Sequence, residues 1–239
     1  MIEVHNLVGG EFVKLDETFD DVSPLNDEII ATVPRTKDVD DAVNAAESAL
    51  ESWSKLSLIE RCDWLDKIAD ELENQIEEVA RLESLDTGKP HDVALNVDAS
   101  RSVYNFRFFA DFGRKITSQT FEMEDAMNFV MRKPVGIVGL ISPWNLPLYL
   151  LSWKVAPALL MGNTIIAKPS ELTPLTAYFL GQVSVKVGLP NGVLNIVQGY
   201  GPEIGQAIVE HPKIKAISFT GGTSTGKIVA ATAAPMFKK

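Results

Sequence analysis

The apolar and polar positions of this chain change period part-way along. In residues 58–79 the apolar side chains Leu58, Cys62, Leu65, Ile68, Leu72, Ile76 and Val79 recur every three or four positions, which predicts one long helix with an apolar stripe. Ser57 precedes the stripe and Glu60 follows three residues later, the spacing of a reciprocal N-terminal cap. Gly88 and Pro90 are expected to end that helix. A shorter helix capped by Asp38 is expected through about Leu50, and another over about residues 91–112. Before them, residues 6–8 ahead of Gly9-Gly10 and residues 28–33 ahead of Pro34 read as short strands.

From Pro134 onward the pattern differs. Residues 135–141 form a nearly continuous apolar run, as expected of a strand buried on both faces. Helical pattern follows to Met161, then a second such strand at 164–167, helix over 174–187, strand 193–197, helix 204–210 and strand 216–219. Strand and helix thus alternate, the signature of an α/β protein with a Rossmann-like parallel sheet over about 134–239, preceded by short strands and helices. Ligands in such sheets sit at the carboxyl ends of the strands.

Composition narrows the function. Lys+Arg 22 against Asp+Glu 32 gives a net charge of -10, which disfavours nucleic acid or an anionic membrane as partner. The one cysteine, Cys62, excludes an intrachain disulfide framework and a zinc cluster. It lies on the apolar stripe of an acidic helix, where a packing role is favoured over a reactive one. The N-terminus has no signal-peptide pattern, and the richest apolar stretch, 146–161, is interrupted by Lys154 and Pro157. A cytoplasmic protein is the expectation.

Three strand ends carry candidate chemistry. Ser142-Pro143-Trp144-Asn145-Leu146-Pro147 encloses Asn145 between prolines that fix φ, which suits an amide presented in one orientation to a developing oxyanion. Lys168 and Glu171 follow the second core strand, where both could hydrogen-bond ribose hydroxyls; the carboxylate would repel a 2′-phosphate, so NAD is favoured over NADP. Surface residues on a loop fit the same spacing. The run from Gly221 to Lys227 spaces its glycines and lysine like a P-loop, but Ile228 stands where a magnesium-holding hydroxyl is needed. A nucleotide triphosphatase is therefore the weaker alternative to a strand-to-helix turn that faces a phosphate. The segment from Gly199 to Gly205 is one residue too long for a dinucleotide fingerprint. Arg101 and Arg107, among aromatic neighbours, could bind a carboxylate or make surface ion pairs.

Taken together, residues 141–147, the Lys168-Pro169-Ser170-Glu171 element and Phe219-Thr220-Gly221 resemble the amino-terminal half of an NAD(P)-dependent aldehyde dehydrogenase, over essentially the whole chain. The resemblance implies roles. Asn145 would donate to the oxyanion, Ile141, Pro143 and Trp144 would line the cofactor cleft, Lys168 and Glu171 would hold the adenosine ribose, and Gly201 and Pro202 would lie by the adenine. Thr220, Gly221 and Gly222 would open the helix facing the pyrophosphate; Gly222 stands where many relatives carry Ser, so a backbone N–H, or Thr223 or Ser224, is expected to substitute. The residues around Arg101 and Trp144 look like the subgroup that oxidises 2-aminomuconic and hydroxymuconic semialdehydes. On that likeness Arg101, Leu146 and Trp153 fall on the substrate tunnel, and Arg101 favours a carboxylate-bearing semialdehyde. The family's cysteine nucleophile, glutamate base and catalytic domain are expected to be absent from these residues, so the favoured reading is the cofactor-binding half of an NAD-dependent aldehyde dehydrogenase, inactive as an isolated chain; the alternative is a catalytically silent NAD-binding or hetero-oligomerising fragment. Residues of about 116–133 would form the strands of an oligomerisation arm, in a family that works as homo-oligomers on small aldehydes.

Overall fold

A computed structural model describes all 239 residues. Four strands, β8 (Ile137–Ile141), β9 (Thr164–Lys168), β10 (Leu194–Ile196) and β11 (Ile214–Phe219), lie parallel in the order β11-β8-β9-β10. All five residues of β9 are buried, so no alternation of polar positions could survive there. Successive side chains serve different cores. Ile165 and Ala167 pack with the helices α6 (Pro147–Leu160) and α7 (Leu175–Lys186), whereas Ile166 packs with α1 (Asp40–Lys55) and α8 (Gln206–Glu210). The sheet is therefore covered on both faces at β8, β9 and β10, as the apolar runs predict, whereas β11 keeps only Ile214 buried.

The sheet does not end with its parallel strands. A hairpin of β2 (Asn6–Val8) and β3 (Glu11–Val13) adds two antiparallel strands beside β10. Gly9 and Gly10 turn it at φ of 62° and 86°, where a side chain would be strained. Three more strands, β1 (Ile2–Glu3), β4 (Thr18–Val22) and β5 (Ile29–Pro34), make a separate sheet with β5 in the middle. The expected first-third strands at 6–8 and 28–33 are thus present, but in different sheets.

The helical layer follows the stripe with two departures. The reciprocal cap at Ser57 and Glu60 opens α2 (Leu58–Asn74), and Gly88 closes α3 (Ile76–Thr87) at φ 73°. Between them Gln75 leaves the helix at φ −118°, ψ 26°, so the single long helix is two. The Asp38 carboxylate accepts the Asp40 N–H at 2.7 Å, and α1 continues to Lys55, past the expected end. The helix expected from residue 91 is continuous in path but not in pitch: α4 (His91–Val93) passes through a π-helical turn at Ala94–Ala99 into α5 (Ser100–Arg114). Cys62 is fully buried where α2 meets α5, and burial pushes its thiol pKa up. A Cβ on Gly113 of α5 would stand 2.6 Å from its Sγ, so the two helices touch there without a side chain between them.

Residues β6 (Thr120–Glu122) and β7 (Met127–Phe129) pair as an isolated antiparallel hairpin, every residue of it exposed. The last helix is α9 (Thr223–Ala233). No helix is long and apolar enough to cross a membrane.

Candidate functional site

The carboxyl ends of the parallel strands are in register. Ile141 lies opposite Lys168 on one side and Phe219 on the other. The Ser142 N–H donates to the Lys168 carbonyl and the Thr220 N–H to the Ile141 carbonyl, each at 3.1 Å. Three loops therefore leave the sheet side by side, and each carries one of the candidate groups.

The first loop holds Pro143, Trp144 and Asn145. Trp144 and Asn145 are exposed, while Ile141, Pro143 and Leu146 are half-buried. Leu146, restricted by the proline that follows it, takes φ −142°, ψ 67°, and Pro147 starts α6. Asn145 is thus held just outside a helix, at the mouth of the strand ends.

The second loop brings Lys168 and Glu171 together. Lys168 is 2% exposed, and its ammonium contacts the Glu171 carboxylate at 2.6 Å. Burial pulls the Lys168 pKa down, opposed by Glu171. Burial pushes Glu171 up, but the charge and hydrogen bond of Lys168, with the Gly201 N–H, outweigh it and leave the carboxyl below its usual range. Glu171 Oε1 faces that Gly201 N–H at 3.5 Å. Gly201 and the exposed Pro202 open a π-helical turn, Gly201–Gly205. A paired acid and base thus sit against a backbone donor, which suits vicinal hydroxyls.

The third loop ends in a helix N-terminus. A Cβ on Gly221 would stand 2.5 Å from the Phe219 ring, so any other residue there would have to displace that ring. Gly222 caps α9 without a side chain, and a Cβ there would have Ser224 Oγ as its nearest neighbour at 4.0 Å. Thr220, Gly221, Gly222, Thr223 and Lys227 line an open cleft of 490 Å³. The unpaired amides of a helix start favour an anion there.

A second cluster lies along α5 and α6. The Arg101 guanidinium is 4.8 Å from the Tyr104 ring, 5.6 Å from Tyr149 and 5.7 Å from Trp153. Its Nε is buried without an acceptor, beside a 440 Å³ cleft lined by Arg101, Tyr104, Tyr149 and Ser100 among others. A cation fixed on aromatic faces with an unused donor can receive an anion. Arg107, by contrast, is spent on Asp70 and Glu73 of α2.

Sequence reasoning missed three groups. Tyr149 completes the aromatic platform under Arg101. Arg35 forks onto Glu203 from the far end of the chain. Lys154 is buried in α6, donates to Ser218 Oγ at 2.9 Å, and has its pKa pulled down to about 8 by burial. A lone lysine inside the apolar run 146–161 was the available signal for it.

The aldehyde dehydrogenase family model matches residues 12–239. The chain is 45% identical over 240 residues to 2-aminomuconic semialdehyde dehydrogenase of Danio rerio, covering 99% of this chain and 49% of that protein. It is 44% identical to 2-hydroxymuconic semialdehyde dehydrogenase of Pseudomonas sp. (strain CF600), covering 98% and 50%. The structure superposes with a TM-score of 0.96 on an aldehyde dehydrogenase from Bacillus cereus solved as an NAD+ complex, at 43% identity over 99% of this chain and 50% of that one. The chain spans about half the length of the relatives it matches. On its sequence and its fold alike, the chain belongs to the aldehyde dehydrogenase family.

Proposed function

We propose that these residues are the NAD-binding half of an enzyme that oxidises a carboxylate-bearing semialdehyde to its acid. The observation that carries the reading is the buried Lys168–Glu171 pair against the Gly201 N–H, one loop away from the open N-terminus of α9. The pair would hold the two hydroxyls of the adenosine ribose. A 2′-phosphate beside the Glu171 carboxylate would be repelled, so NAD is preferred over NADP. Thr220, Gly221, Gly222 and the first amides of α9 would take the pyrophosphate, with Ser224 supplying the hydroxyl that Gly222 lacks. Gly201 and Pro202 would flank the adenine, and Ile141, Pro143 and Trp144 would line the cleft. When bound, NAD supplies the hydride acceptor.

The remaining steps ask less of this chain. Asn145 would donate to the oxygen of an aldehyde under nucleophilic attack, where charge develops. No thiol of these residues can make that attack, because Cys62 is fully buried in helix packing. Arg101, with Leu146 and Trp153, would receive the distal carboxylate. The Rossmann core lies at about 134–239, and residues of about 116–133 are the arm through which copies associate.

Calorimetry tests the reading. The chain should bind NAD, bind NADP at least about tenfold more weakly, and lose about tenfold or more in NAD affinity as Lys168→Ala or Glu171→Ala. It should produce no NADH from aldehydes by itself. Equal affinity for NAD in either variant overturns the site, and turnover by the purified chain overturns the division of labour.

A further inference from the structure

The turn that carries Gly201 is held from behind by a strap at residues 35–37. The Thr36 N–H donates to the Gln198 carbonyl at 3.2 Å. Asn6 fastens the crossing, donating to Thr36 Oγ1 and accepting the Gln198 N–H, both at 2.8 Å. Gly199, at φ +140°, would place a Cβ 2.8 Å from the Thr36 carbonyl oxygen, so strap and turn meet backbone to backbone.

Arg35 reaches out of this strap. Its Nε donates to Glu203 Oε2 at 2.9 Å and its Nη2 donates to the other carboxylate oxygen, a two-bond fork. Its Nη1 lies 3.1 Å from Glu17 Oε1. The same guanidinium sits 5.3 Å from the centre of the Tyr200 ring, which packs at 4.8 Å on Phe19. The Tyr200 carbonyl accepts the N–H groups of both Glu203 and Ile204 at 3.1 Å. One arginine therefore grips the residue before the π-helical turn and the third residue within it. Hydrogen bonding to Arg35 holds the Glu203 carboxyl below its usual range.

An ordinary surface ion pair fixes little, because two long side chains must be ordered for a screened attraction. This one differs in geometry: the fork sets the angle of the guanidinium, and the stacked ring sets its height. It also acts on an uncommon conformation. A π-helical turn is a rare departure from the α-helix, found frequently at functional sites. Relaxing it would move Gly201, whose N–H faces Glu171.

We propose that Arg35 is a positioning residue for the adenosine end of a dinucleotide: through Glu203 and Tyr200 it holds the Gly201–Gly205 turn so that Gly201 and Pro202 form a fixed wall and the Gly201 N–H stays on Glu171. Arg35 touches no ligand itself. The proposal rests on the nucleotide reading above and adds to it a residue 168 positions away in sequence.

The test titrates NAD and AMP by calorimetry into the chain, Arg35→Met, Glu203→Gln, and Arg35→Glu with and without Glu203→Arg. Melting temperature and amide exchange at Gly201, Glu203 and Ile204 are recorded for each. Arg35→Met and Glu203→Gln should each weaken both ligands about tenfold, a loss of preorganisation. Exchange should quicken at those three amides, and the melting temperature should stay within about 2 °C of the parent, as for a partly exposed pair. The charge-exchanged double variant should regain affinity over Arg35→Glu. If Arg35→Met does not fold, Glu203→Gln decides, since it keeps the shape of the side chain. Parent-like affinity in the folded variants, or a loss matched by a general drop in stability, overturns the positioning role and leaves the nucleotide site standing. A parent chain that binds neither NAD nor AMP overturns both.

Discussion

Arg101 shows how a side chain's neighbours decide its chemistry. Two arginines stand six positions apart among the same aromatics, and residue type and spacing alone do not separate them, although the family likeness singles out Arg101. In the fold Arg107 is spent on two carboxylates of α2, while Arg101 lies over three rings with a buried, unused Nε beside a cleft. A buried donor without a partner is costly, and a ligand carboxylate would relieve it. In an enzyme that joins this chain to the remaining length of a relative, Arg101→Met should lower kcat/KM for a carboxylate-bearing semialdehyde by about 10- to 100-fold, the worth of a charged hydrogen bond. Activity on a neutral aldehyde of similar size should hold. A uniform fall for both substrates in steady-state assays would remove the carboxylate argument. Tyr149 was illegible for this role because its stacking partner comes from another helix.

At the scale of elements, legibility followed locality. The cap at Ser57 and Glu60, the αL stop at Gly88 and the apolar strands β8 and β9 depend on neighbours in sequence, and they lie where the pattern put them. The break at Gln75 does not interrupt the three- and four-residue spacing, so periodicity passes over it, whereas the π-helical turn sets its buried Ala94 and Ala99 five residues apart. The hairpin β2–β3 joins the main sheet through pairing almost two hundred residues away, which no local pattern encodes. Helix α3 carries a further surprise, a fully buried glutamate. Burial pushes the carboxyl of Glu83 up to about 7 from 4.5. In the unfolded chain it loses its proton near its ordinary value, so between the two the native state binds the proton more tightly. Its contribution is complete below about pH 4.5 and is lost as pH rises through about 7. Glu83→Gln, which keeps the neutral shape, should flatten the fall in melting temperature over that window. The difference should reach on the order of 3 kcal/mol at pH 8, the free energy of the shift. Parallel pH profiles of parent and variant in thermal melts would show that Glu83 does not titrate in this range.

The whole molecule divides into a closed side and an open one. The two cores bury both faces of β8, β9 and β10, and the strand-end loops leave an open cleft beside the more exposed β11. The hairpin β6–β7 belongs to neither. It has two strands, no third to pair with, and Phe121, Met127 and Phe129 exposed at 54%, 52% and 65%. A lone two-stranded hairpin is marginal in water, and its free edges are templates for another chain. Met127 and Phe129 share one face of the hairpin and Phe121 stands on the other, so large apolar side chains flank both sides of the free edges. If the arm is an association surface, changing all three residues to Thr keeps strand propensity and removes the apolar contact. The melting temperature should be nearly unchanged, because these side chains touch neither core. The apparent mass in sedimentation at a fixed concentration should fall toward that of the single 26.2 kDa chain. An unchanged mass, in a variant that still folds, would leave the arm without that role.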